Sequence, residues 1–73
     1  MKYIIFEDRF VVIFLGTVNH SDMARKFPMK TPVSAGSVHL HEGDLSVGGD
    51  SHTLKLASRP EDKELIERQL NYY

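Results

Sequence analysis

The chain has no cysteine, only three prolines and no large surplus of either charge. Without cysteine there is neither a disulfide nor a thiolate metal site, a pattern that fits a reducing interior. Nine lysines and arginines stand against ten carboxylates, a formal charge of −1. General affinity for a nucleic-acid backbone needs a concentrated basic surface and is not expected here. Only Arg25, Lys26 and Lys30 gather, enough for one modest anionic ligand. No apolar run is long enough to cross a bilayer. The opening Met1-Lys2-Tyr3-Ile4-Ile5-Phe6 meets Glu7 and Asp8 at once, unlike a secretory signal. The expected location is therefore cytoplasmic. At 73 residues one domain is expected, spanning 1–73 and burying only about 60% of its unfolded surface. Small domains of this kind commonly need a staple, and oligomerisation is the easiest one left.

What the chain does have is an opening hairpin that is apolar on both faces. Tyr3 to Phe6 and Phe10 to Leu15 read as strands around the polar turn Glu7-Asp8-Arg9. A three-residue loop sets Phe6 opposite Phe10, Ile5 opposite Val11 and Ile4 opposite Val12. One face then carries Ile4, Phe6, Phe10, Val12 and Phe14, the other Tyr3, Ile5, Val11 and Ile13. A one-residue slip exchanges the faces and leaves both apolar. A strand open to water on one side alternates, so this ribbon must be covered twice. So short a chain usually covers a sheet once, which points to a second copy or another protein as the other cover.

The rest of the chain reads as a small α+β domain. Asn19 is placed to cap a helix over 20–27, with Met23 and Phe27 facing the sheet and Pro28 ending it. Residues 34–41 form a third strand, with Val38 and Leu40 inward and Ser37, His39 and His41 on the other side. Glu42-Gly43-Asp44 turns into a short strand over 45–47, and Gly48-Gly49-Asp50 into a fifth over 51–57 with Leu54 and Leu56 inward. Ser58-Arg59-Pro60-Glu61 is a capping-box signal for a last helix to about Leu70, with Leu65, Ile66, Gln69 and Leu70 in one stripe. The expected order is ββαβββα, a mainly antiparallel sheet of about five strands with two helices. Tyr72 and Tyr73 read equally well as an interface anchor or a frayed end.

Chemistry is sparser. His39 and His41 lie two apart on a strand, roughly 6–7 Å, so both rings leave one face. With His52, Asp44 or Asp50 they could share a metal ion; solvent-facing histidines, or ligand contact by stacking, explain them as well. The glycines at 43 and 48 have phosphate-loop spacing, but Gly49-Asp50 stands where Lys and Ser/Thr are required. Arg59 lies at a helix start that could attract an anion, while Glu61, Asp62 and Glu64 oppose it. No strained nucleophile elbow or oxyanion hole is marked among the serines and histidines. An enzyme is not expected, and neither a cofactor nor a metal is assigned.

Tyr3-Ile4-Ile5, Val12-Ile13-Phe14, His20-Ser21-Asp22-Met23-Ala24, Ser34-Ala35-Gly36 and Ser58-Arg59-Pro60-Glu61-Asp62 give the chain a familiar look. It resembles short accessory proteins of bacteriophages and prophages. That resemblance implies a counter-defence role in the cytoplasm of an infected bacterium. The leading expectation is a homo-oligomer that sequesters a small cyclic nucleotide immune signal, with His39, His41, His52, Arg59 and Arg25 as ligand-binding candidates. The alternative is an inhibitor that binds a host defence protein directly, in the manner of an anti-CRISPR protein.

Overall fold

The computed structural model describes residues 1–71, so Tyr72 and Tyr73 lie outside the described residues. The elements are β1 (Lys2–Phe6), β2 (Phe10–Phe14), α1 (His20–Ala24), β3 (Pro32–His41), β4 (Asp44–Gly48), β5 (Asp50–Ser51), β6 (Leu56–Ala57) and α2 (Asp62–Asn71). Four strands form one antiparallel sheet in the order β2-β1-β3-β4, and β5 pairs with β6 apart from it. The α+β class and the hairpin register agree with the sequence reading. Ile4 opposes Val12, Ile5 opposes Val11 and Phe6 opposes Phe10.

Both covers of that hairpin come from the chain itself. Tyr3, Ile4, Ile5 and Phe6 are each 0% exposed. On one face Tyr3, Ile5 and Val38 pack under Ile66 of α2, with Leu65, Val11, Ile13 and Leu45 around them. On the other, Ile4, Phe6, Phe14 and Ala35 lie beneath Val18, Met23 and Phe27 from the α1 segment and Leu54 and Leu56 from the β5–β6 hairpin. Full burial of such side chains stabilises by about 1.5–3 kcal/mol each. The sequence is two-sided because a central strand is buried twice, and no second molecule is required to bury it.

The expected fifth strand breaks in two to provide this cover. Gly49, in the left-handed region at φ 79°, turns the chain out of the sheet after β4. The short β5–β6 hairpin then lies across the Ile4 face instead of extending the sheet edge. The first helix is shorter than expected and winds on through Lys26 and Phe27 in three-residue turns. Met23 and Phe27 still reach the core. Leu40, expected inward, is 63% exposed. It borders an open groove beside Leu45, Lys63 and Leu70, where α2 does not close over the end of the β3–β4 hairpin.

The last helix starts one step later than its signal suggests. Asp62, not Glu61, reaches back to the N–H of Arg59 at 2.9 Å. Pro60 therefore follows the capping residue directly, where its missing N–H costs nothing.

Candidate functional site

Lys2 of β1 and Ser37 of β3 are directly opposed. With Asn19 and His20 at the start of α1 and Asp50 to Thr53 around β5, they line a cleft of about 250 Å³. The two pieces that cover the Ile4 face meet here, and the cleft is the seam between them.

His20 is the centre of the site. It is 6% exposed, and its ring stands edge-on to Phe14 with centroids 5.5 Å apart. Nε2 lies 3.0 Å from the carbonyl oxygen of Gly36. A carbonyl only accepts, so Nε2 carries a proton and donates. Among the described residues Nδ1 has no hydrogen-bond partner. A neutral ring with this tautomer therefore offers an acceptor at Nδ1.

Around His20 the polar groups are partly spoken for. The Asn19 backbone is extended as at a helix cap, yet its side chain makes no capping bond. Lys2 Nζ donates to the Val18 carbonyl at 2.9 Å, leaving two ammonium protons over. Ser51 Oγ, buried, accepts from the Leu54 N–H at 3.2 Å and lies 3.3 Å from Thr53 Oγ1, which fixes the far wall. His52 is 94% exposed at its side chain, 3.7 Å from Asp50. The cleft thus combines donors at Asn19, Lys2 and Ser37 with acceptors at His20 and Asp50.

Of the five residues singled out from the sequence, only His52 lines this cleft. His39 and His41 are exposed on β3, opposite Ser46 and Asp44, and His41 Nε2 lies 4.0 Å from Glu42. Arg25 is exposed and paired with Asp22 at 3.4 Å. Arg59 is engaged elsewhere. Among the described residues, no three His, Asp or Glu side chains are placed to hold a metal ion. The residue that sequence reasoning missed is His20, and a signal existed. His20, Met23 and Phe27 follow the i, i+3, i+7 spacing of a buried helix face.

Arg59 belongs to a network that ties the hairpin tip to α2. The carboxylate of Asp62, 0% exposed, accepts from Tyr3 Oη at 2.7 Å, from the Arg59 N–H and from Arg59 Nε at 3.1 Å. Arg59 Nη1 reaches on to Asp8, whose backbone is left-handed at φ 62°. The carboxylate of Asp62 therefore stands where an external anion would have to bind at this helix start. Burial opposes the charge on Arg59, but the carboxylates of Asp8 and Asp62 outweigh it and hold its pKa above the ordinary value. Burial, and next the Asp62 carboxylate, push the Tyr3 phenol well above its ordinary value.

The Tyr3 shift has a sign that can be measured. Above about pH 10 an unfolded tyrosine releases its proton while the folded one keeps it. The stabilisation is therefore complete below about pH 10 and is lost as pH rises towards the folded value. Urea midpoints followed into alkaline solution are expected to fall more steeply for the parent than for Tyr3→Phe. Parallel profiles would refute the buried phenol.

Comparison with known protein families, curated proteins and solved structures finds no match to this chain. The groove beside Leu40 is larger, about 510 Å³, but its polar groups, Asp44, Lys63 and Glu67, are all on exposed residues. The smaller cleft has a buried imidazole with a free acceptor, and it is the better site. Among the described residues no helix is long and apolar enough to cross a membrane.

Proposed function

We propose that this chain is a non-enzymatic binding module that holds a small polar ligand of nucleotide type in the His20 cleft. The observation that supports the reading is His20 itself, buried and anchored through Nε2 with Nδ1 unpartnered beside the spare donors of Asn19, Lys2 and Ser37. A nucleobase edge offers the matching N–H groups to Nδ1 and Asp50, and acceptors to the amide and ammonium. The size of the cleft sets a limit. At about 250 Å³ it lies below the roughly 300–1,000 Å³ that encloses a drug-sized ligand. One chain takes up a single base or phosphate, and the rest of a cyclic nucleotide stays outside. The resemblance to phage accessory proteins supplies the setting, sequestration of a bacterial immune signal.

Calorimetric titration with AMP, cyclic di- and trinucleotides and cyclic ADP-ribose isomers tests this. At least one is expected to bind with a Kd in the micromolar range, about −8 kcal/mol. Ser37→Ala, which removes a half-buried hydroxyl without touching the core, is expected to weaken it by about tenfold, the loss of one or two hydrogen bonds. No heat with any of these ligands would refute the reading.

A further inference from the structure

We propose that two copies of this chain join edge to edge through β2, antiparallel about a two-fold axis at Val12, to make one eight-stranded sheet. The inference is independent of the ligand cleft and rests on the strand's free edge.

In an antiparallel sheet successive residues of a central strand bond alternately to its two neighbours. The Met1 carbonyl and the Glu7 N–H both bond to the β3 side. Tyr3 and Ile5 share that direction, so Lys2, Ile4 and Phe6 bond to β2. Their partners Phe14, Val12 and Phe10 therefore turn their backbone groups inward. Those of Val11 and Ile13 point away from the sheet, and among the described residues nothing pairs with them.

Natural edges are blunted by charge, proline or a bulge. From Phe10 to Leu15 there is no charged residue, proline or glycine. The opposite edge, β4, begins at Asp44, ends at Gly48 and exposes Ser46.

The open strand is self-complementary. With the axis at Val12, Val11 of one copy opposes Ile13 of the other, and the reverse. Each such pair exchanges two backbone hydrogen bonds, four in all, using every outward group of the two residues. The axis keeps the faces in register: Val11 beside Ile13, Val12 beside Val12, and Phe10, itself 38% exposed, beside Phe14. No charge lies in the paired segment to meet its own copy across the axis. Two five-residue strands bury on the order of 700 Å² in total, below the roughly 1,200–2,000 Å² of tight complexes. The dimer is accordingly weak, with a Kd on the order of 100 µM.

Sedimentation from about 10 µM to about 1 mM, with amide exchange at both ends of the range, tests the assignment. The mass is expected to rise from 8.3 kDa towards twice that, and exchange at Val11 and Ile13 to slow at least about threefold while β4 is unchanged. Val11→Pro removes an outward N–H, together with the Val11 packing against the core, and should keep the protein monomeric if it folds; the exchange measurement on the parent needs no variant. A single 8.3 kDa species throughout overturns the proposal. So does association that leaves the Val11 and Ile13 amides unaffected, or protection of those amides only when a foreign protein is added.

Discussion

Asp62→Ala is expected to lower the stability of the folded protein by about 3–5 kcal/mol. The substitution leaves the Tyr3 hydroxyl and the Arg59 N–H and Nε without their acceptor, inside a region where Asp62 is 0% exposed. Breaking a buried charge pair by deleting one partner costs about 3–5 kcal/mol. A domain of this length is stabilised by roughly 4–11 kcal/mol in all, so the loss is a large share of the whole. Asp8→Asn, which keeps a residue suited to the left-handed backbone at the exposed end of the same network, should cost less than about 1 kcal/mol. Tyr3→Phe added to Asp62→Ala removes one orphaned group and should recover part of the loss. Urea unfolding followed by circular dichroism measures all three. Equal costs for Asp62→Ala and Asp8→Asn would show that the network contributes nothing beyond an ordinary surface pair.

Gly36→Ala carries the second large effect, for a steric reason. A Cβ at Gly36 would stand 2.4 Å from the Gly48 carbonyl oxygen and 3.2 Å from Tyr3 Cε1. The first distance is impossible without moving β4, and the second presses on a ring already held by Asp62. Overpacking of this kind costs about 1–3 kcal/mol, and a backbone obstacle belongs at the upper end. At about 4–8 °C per kcal/mol for a domain of this size, Tm should fall by roughly 12–24 °C. The cleft should suffer too, because the Gly36 carbonyl anchors His20. Gly48→Ala is the control, since a Cβ there meets nothing within 4 Å. Similar melting temperatures for the two variants would refute the close approach of β3 and β4.

The fold was legible where the signal was local. Alternation from Val38 to His41, the unbroken apolar hairpin and the Pro60 helix start all produced elements close to those observed. What could not be read was who covers the second face. Leu54 and Leu56 alternate as in any strand, and their pattern does not reveal that Gly49 swings them across the sheet. The site was less legible still. Exposed histidines at His39 and His41 share a strand face and draw the eye, whereas His20 owes its role to a bond with a carbonyl 16 residues away. Arg59 resembled an anion ligand only while Asp62 was treated as a mere charge in the same turn. In the fold that carboxylate is its principal partner.

The lid over Ile4 and Phe6 is built from a five-residue helix and a pair of two-residue strands, none of which would persist in isolation. Such fragments are the first to come loose in a native protein. Recognition and fragility are therefore lodged in the same corner: whatever loosens Leu54 or Leu56 dismantles the walls around His20 before the four-stranded platform notices. A guest held there would act as the missing mortar, stiffening the thinnest masonry of the molecule.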